Sequence, residues 1–202
     1  MNTKIQDDIS HIKAMMERSS RFISLSGLSG IVAGSIALVG AFVAFLMLKE
    51  HGGIYKVTPE NKLDLVLNFS VLAVVVLISA IGAGTLFTLN KSKRLGLPIW
   101  TQVSKNVLKA LLIPLVTGGL FCIALVVKQE YAFVAPAMLI FYGLALLNAE
   151  KFLFSDIKYL GYLELALGLI SSFVLYYGLL FWTLGFGVLH ILYGIILYKK
   201  YN

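Results

Sequence analysis

The sequence predicts an all-α protein that folds as a polytopic transmembrane helix bundle. Of its 202 residues, 59% are hydrophobic and 13% are charged, whereas a soluble domain carries about a quarter charged residues. The charges are also clustered, so that a stretch such as 65–90 contains none. A helix needs about 20 consecutive apolar residues to cross a bilayer. The chain has room for six such helices with short connections.

Residues 1–21 are polar but contain a periodic apolar series. Ile5, Ile9, Ile12 and Met16 recur at intervals of four, three and four residues, which places them on one face of a helix. We therefore predict an amphipathic helix that lies on the membrane surface. A frayed N-terminal tail and a helix that binds a partner protein are the alternatives.

Residues 22–202 are predicted to form a single transmembrane domain. The second of its six spans starts at Thr58-Pro59-Glu60, where a hydroxyl N-cap precedes a proline at the first helical position. A short interfacial helix that contains Pro98 and Trp100 is expected to lead into the third span, and Ser155-Asp156 is expected to cap the fifth. The predicted spans are about 22–48, 59–90, 106–127, 130–147, 156–177 and 181–198.

The basic residues predict the orientation of the chain. Thirteen of the 17 Lys and Arg lie in the N-terminal segment, the second and fourth connections and the C-terminal tail. The positive-inside rule assigns these regions, and hence both termini, to the cytoplasm. The net charge of +7 therefore reflects contacts with lipid headgroups, and we do not expect nucleic acid as a partner. The single Cys122 lies in an apolar span, which excludes a disulfide framework.

Almost all ionisable residues lie in loops or at helix ends, but Glu164 and His190 lie inside spans. Glu164 is eight residues into the fifth span, and His190 is nine residues before Lys199 at the end of the sixth. At 1.5 Å per residue, both side chains lie about 10–14 Å from the cytoplasmic boundary. Because the two helices are consecutive, we expect an antiparallel hairpin in which the two side chains meet.

Small and polar residues accompany this candidate site at helical spacing. Such residues allow transmembrane helices to approach closely and to hydrogen-bond across their contact. We therefore predict a packing seam around Glu164 and His190, formed by Gly161, Gly168, Ser171, Thr183, Gly187 and Gly194, with Gly30 and Gly34 of the first span closing around it. At the inner end of the fourth span, Asn148, Glu150 and Lys151 are expected to form a helix cap and a surface ion pair.

The intramembrane acid leaves two main functions open. A carboxylate in hydrocarbon costs about 3 kcal/mol on insertion scales. Glu164 must therefore be protonated, pair with His190 or face a wet cavity. The leading hypothesis is a non-enzymatic protein that transports or senses a small solute or protons through this pair. The alternative is a structural or accessory subunit, whose partners are the bilayer and either further copies of itself or another membrane protein.

No catalytic group, metal site or cofactor is predicted. The three His residues lie at different depths, and the sequence has no His-Glu-x-x-His motif. The glycine-rich stretch 27–34 is interpreted as helix packing, since no strand precedes it. A membrane enzyme that acts on lipids is the least favoured function because the expected acid–base clusters are missing.

The runs Met15–Gly27 and Gly185–Gly194 resemble the signature of a small family of bacterial six-span membrane proteins with no assigned function. The resemblance extends over the whole chain. It implies a location in the bacterial inner membrane and implies nothing about chemistry.

Overall fold

A computed structural model of the chain describes residues 26–50, 59–96 and 98–201. The described residues form six helices. We label them α1 (Gly27–Glu50), α2 (Pro59–Arg94), α3 (Gln102–Val127), α4 (Val134–Ala149), α5 (Ile157–Phe173) and α6 (residues 178–201). Single 3₁₀ turns flank α4 and precede α6. The amphipathic helix predicted for residues 1–21 lies outside the described residues.

Five stretches of the described chain are long and apolar enough to cross a membrane, namely Gly27–Glu50, Leu63–Arg94, Gln102–Val127, Tyr131–Phe152 and Leu175–Lys200. Their large apolar side chains face outward, most of all along α2 and α3. Hydrocarbon is the solvent in which such a surface is stable. The protein is therefore a multi-pass helical membrane protein whose outer surface contacts lipid.

The fifth predicted span corresponds to α5, which has 17 residues and is about 25 Å long at 1.5 Å per residue. This length is at the lower limit for a spanning helix, so the count of six crossings stays a prediction. One face of α5 is buried in the bundle. The opposite face exposes apolar and aromatic side chains such as Leu163, Ile170 and Phe173, of which Phe173 is 89% exposed.

The observed helix bounds agree only in part with those predicted from the sequence. The second helix begins at Pro59 as predicted, and it continues to Arg94, beyond the expected end. The interfacial helix predicted from Pro98 is wrong, because residues 98–101 are not helical. The side chain of Thr101 instead accepts a hydrogen bond from the backbone N–H of Ser104, at 3.1 Å. This capping box starts α3 at Gln102.

The helices pack as two groups of three. In the first group α1 lies between α2 and α6, and in the second α4 lies between α3 and α5. Within each group neighbouring helices are antiparallel: Gly27 meets Tyr198 at one end of the α1–α6 pair, and Gly34 meets Gly187 further along. The contacts between the groups are less extensive and are made mainly by α6 with α4 and α5.

Asp156 forms an ion pair at the end of the bundle where α5 begins and α6 ends. Its carboxylate accepts two hydrogen bonds from the Lys200 ammonium, at 2.8 and 3.1 Å. Asp156 is the N-cap residue of α5, as the predicted helix start requires, but its side chain makes no cap hydrogen bond. The carboxylate bonds to the neighbouring helix instead, and the ion pair ties the two helix ends together.

Candidate functional site

His190 lies on the side of α6 that faces the second group of helices, and both of its ring nitrogens have polar neighbours. Nε2 is 2.7 Å from the hydroxyl oxygen of Tyr142 on α4. Nδ1 is 3.0 Å from the carbonyl oxygen of Gly185 and 3.4 Å from Oε1 of Glu164 on α5. Because a carbonyl oxygen can only accept, Nδ1 carries a proton. In the neutral imidazole, Nε2 therefore accepts from the Tyr142 hydroxyl. We call Glu164, His190 and Tyr142 the polar cluster.

Glu164 is fully buried. Neither of its carboxyl oxygens has a hydrogen-bond partner among the described residues, and the imidazole Nδ1 of His190 lies 3.4 Å from Oε1. A buried carboxyl group that lacks hydrogen bonds is costly, and more so when it is ionised. The approach of His190 Nδ1 to this carboxyl group is therefore the main electrostatic contact of the site.

A π-helical turn in α6 places His190. Residues Thr183–Leu189 form this turn, in which hydrogen bonds span five residues and not four. His190 and Gly185 are five residues apart, so the imidazole lies over the Gly185 carbonyl. Gly185 also lets α6 approach Glu164 closely. A Cβ at this position would overlap Oε2 of Glu164 and would lie 2.5 Å from Cδ2 of Leu139.

Aromatic rings surround the imidazole. The Phe186 ring stacks on His190 with centroids 5.9 Å apart and an interplanar angle of 18°. Phe186 also contacts Tyr142, at 5.0 Å between centroids, and Trp182, at 5.2 Å. These rings pack around the imidazole, which is 8% exposed.

Tyr142 and Gly185 were not among the predicted site residues. Tyr142 is nine residues before Lys151, which places it about 13 Å from the C-terminal end of α4, matching the depth estimated from the sequence for Glu164 and His190. Depth matching would therefore have found it. Gly185 carries no such signal. The seam was predicted with the α-helical period of 3.6 residues, and a π turn changes which residues of the helix face a neighbouring helix.

The structure distributes the predicted seam residues over several contacts. Gly161 and Gly168 pack against α4, not against α6. Ser171, two turns from Glu164, is fully buried, and no hydrogen-bond partner for its hydroxyl is found within the described residues. Thr183 donates to the carbonyl of Leu179 in its own helix. The α1–α6 contact accounts for the remaining glycines, which are Gly30, Gly34, Gly187 and Gly194.

The expected hairpin of α5 and α6 is wrong in its extent. Glu164 and His190 do meet, but α5 packs most extensively on α4, and α6 packs most extensively on α1. The close approach of Gly143 and Gly161 explains the first preference, and that of Gly30 and Gly194 explains the second. The polar cluster therefore lies at the boundary between the two groups of helices.

The polar cluster offers proton chemistry. It contains a carboxyl group, an imidazole and a phenol, which can hold and exchange protons along the line from Glu164 through His190 to Tyr142. Within the described chain, no three His, Cys, Asp or Glu side chains come together in a way that could hold a metal ion.

A comparison of the chain with protein-family models, with curated proteins and with solved structures found no match. The resemblance to a six-span bacterial family therefore stays a prediction from two sequence runs. The five long apolar helices identify the chain more broadly, as a polytopic helical membrane protein.

Proposed function

We propose that this is a non-enzymatic membrane protein that senses or transports protons, or a small solute together with protons, through the polar cluster. One observation carries the proposal: a buried imidazole joins a buried carboxyl group, at 3.4 Å, to a phenol, at 2.7 Å. Ionisable residues within a membrane are costly, and they commonly mark proton relays and substrate pathways.

A change in the charge of the Glu164–His190 pair would link the binding or release of a proton to a change in conformation. With one exchangeable proton, the pair is neutral overall, either as acid and imidazole or as carboxylate and imidazolium. Gaining or losing a proton leaves a net charge in hydrocarbon, at a cost of about 3 kcal/mol on insertion scales. Proton exchange therefore requires a rearrangement that admits water or a counter-ion, and such a rearrangement is what a proton-coupled carrier or a pH sensor uses.

The boundary position of the cluster supplies a route for that rearrangement. Glycine contacts hold α1 to α6 within one group and α4 to α5 within the other, whereas the two groups share less contact. A rocking motion of one group against the other would open the cluster and leave both close-packed pairs intact. Many secondary transporters move in this way around a site at the interface of two bundles.

The proposal includes a topology and a location. We propose six crossings, with α5 as the fifth, and both termini in the cytoplasm of a bacterial cell that carries the protein in its inner membrane. The outward apolar face of α5 supports counting this helix as a crossing. The concentration of basic residues in alternate connections supports the orientation.

A second candidate is a structural or accessory subunit that forms oligomers or binds another membrane protein. Close packing around the carboxyl group favours it: Leu139 is fully buried beside Glu164, and Gly185 leaves no space for a methyl group. In this case the pair would only hold helices together, and its substitution would change stability alone.

Substitution of the acid separates the two functions. The full chain and the Glu164→Gln variant, which keeps the side-chain shape, are reconstituted in lipid vesicles. Carboxyl C=O stretching bands are recorded by infrared difference spectroscopy across about pH 5–8, the range in which an ordinary histidine changes charge. Proton uptake is followed in parallel with a pH-sensitive dye.

We expect a pH-dependent carboxyl band and proton uptake in the wild-type protein, and the loss of both in Glu164→Gln. The matched control is Glu130→Gln, which removes an exposed carboxyl group from the connection between α3 and α4 and should retain both signals. His190→Gln provides a second test if Glu164→Gln does not fold. Unchanged proton signals in folded variants that are only less stable would overturn the proposal and favour the subunit function.

A further inference from the structure

A shallow groove lies between α3 and α4, away from the polar cluster. Its volume is about 380 Å³, and it lies at the end of the bundle where α3 begins and α4 ends. No acidic side chain is among the described residues that line it. The lining consists of two lysines, two asparagines and three apolar residues: Lys109, Lys151, Asn106, Asn148, Ala110, Ile113 and Phe152.

Both asparagines keep N–H groups that can donate into the groove. The Asn148 side-chain amide donates to the carbonyl of Ala110, at 2.8 Å, which leaves its second N–H free to turn toward the groove. The Asn106 side-chain oxygen accepts from the side chain of Gln102, at 3.1 Å. This bond leaves the NH₂ group of Asn106 able to donate to an occupant of the groove. Two amides that present N–H groups match the acceptor oxygens of an anion.

The two lysines supply positive charge that the described residues do not neutralise. Lys109 and Lys151 are both exposed, and neither forms an ion pair within the part of the chain that the structure describes. The surface pair predicted between Glu150 and Lys151 is therefore wrong. The Lys151 ammonium instead lies 5.1 Å from the centre of the Phe152 ring. Two like charges in one groove favour an anionic occupant.

The surroundings of the groove favour a lipid over a soluble anion. Ile113 lies one helical turn beyond Lys109 and is 67% exposed, and Leu112 and Val116 continue the apolar surface along α3. A phosphate bound by the lysines would therefore have a continuous apolar surface beside it for acyl chains. Basic pockets between transmembrane helices recognise anionic headgroups in this way.

We propose that this groove binds the phosphate of an anionic phospholipid. Lys109 and Lys151 neutralise the phosphate charge, Asn106 and Asn148 donate hydrogen bonds to its oxygens, and the acyl chains follow Ile113 along α3. On the proposed topology, this lipid belongs to the cytoplasmic leaflet. The site depends on charge and hydrogen bonding between α3 and α4 and is independent of proton exchange at Glu164.

Native mass spectrometry of the full-length protein tests the site. Phosphatidylglycerol, phosphatidylcholine and inorganic phosphate are each titrated into the detergent-solubilised protein, and bound adducts are counted. We expect phosphatidylglycerol to bind more tightly than the zwitterionic lipid, and inorganic phosphate to bind far more weakly than either. Equal binding of inorganic phosphate and phosphatidylglycerol would overturn the lipid assignment, because it would show a site for a soluble anion.

Charge-matched variants locate the binding. Each lysine near an anionic headgroup contributes about fivefold to affinity, so Lys109→Gln with Lys151→Gln should weaken phosphatidylglycerol binding by at least about tenfold. The control, Lys93→Gln with Lys105→Gln, removes the same charge from residues that do not line the groove and should change binding less than about twofold. Lys109→Arg with Lys151→Arg should keep the affinity, and if the double neutral variant does not fold, the single variants Lys109→Gln and Lys151→Gln, each with an expected loss of about fivefold, test the site. Equal losses in the groove and control variants, or no loss in the groove variant, would refute the proposal.

Discussion

The contact between Gly185 and Glu164 leads to a stability prediction whose size follows from the geometry. A Cβ added at Gly185 would lie 2.5 Å from Cδ2 of Leu139 and would overlap Oε2 of Glu164. Carbon atoms prefer about 3.5–4.0 Å, so the methyl group would be more than about 1 Å too close. Overpacking of this kind typically costs about 1–3 kcal/mol. The higher helix propensity of alanine offsets up to about 1 kcal/mol.

We therefore expect Gly185→Ala to lower the free energy of unfolding by up to about 2 kcal/mol relative to the wild type, and by about 1–3 kcal/mol relative to a glycine-to-alanine change in open space. The assay is reversible unfolding in mixed detergent micelles, in which increasing dodecyl sulfate unfolds the protein and circular dichroism reports the helix content. The matched control is Gly82→Ala on α2, where nothing lies within 4 Å of the added Cβ. The control should unfold at the wild-type midpoint or later.

The difference between these two alanine variants is the quantity that tests the geometry. Both substitutions replace a glycine in a helix, so the propensity term is largely shared, and the remaining difference reports the space around Gly185. Equal unfolding midpoints for Gly185→Ala and Gly82→Ala would refute the close contact of α6 with Glu164 and Leu139.

Two further substitutions test other parts of the bundle by the same unfolding assay. Tyr142→Phe removes the hydroxyl that donates to His190 Nε2 but keeps the ring packing, so we expect a loss of about 0.5–1.5 kcal/mol; a wild-type midpoint would contradict this hydrogen bond. Asp156→Asn removes the ion pair with Lys200, which is partly exposed, with side-chain exposures of 22% for Asp156 and 53% for Lys200. We expect a loss below about 1 kcal/mol that shrinks as salt is added, and a salt-independent loss would contradict an electrostatic origin.

Local sequence features predicted the helices well, because an apolar stretch and a capping residue determine helix formation through neighbouring residues alone. The start of α2 at Pro59 is an example. The start of α3 was missed because the capping box of Thr101 and Ser104 competes with the apolar pattern around Trp100. Whether α5 crosses the membrane, which would bring the number of crossings to six, depends on the thickness of hydrocarbon that a 17-residue helix can span. Composition does not determine this thickness.

The site was predictable in part for a similar reason. Glu164 and His190 stand out because each is an ionisable residue in an apolar stretch, and their depths agreed. Their contact was expected from a hairpin, yet it arises because α6 packs on α1 and touches the second group along one side. The choice of helix partner depends on which glycine faces fit each other across the whole chain. The π turn that brings Gly185 to Glu164 is equally hidden, because the spacing of residues within α6 does not reveal it.

The pairing of α1 with α6 has a consequence for biosynthesis. Helices α3, α4 and α5 are consecutive, so their group can assemble as soon as it is inserted. The glycine face of α1, in contrast, has its partner more than 150 residues later in the chain, and a ribosome adds only about 5–20 residues per second. Glu164 precedes His190 by 26 residues, so the acid leaves the ribosome before the imidazole that neighbours it in the finished fold. Arrival of the final helix therefore completes the α1–α6 pair and brings the imidazole to the acid in a single step.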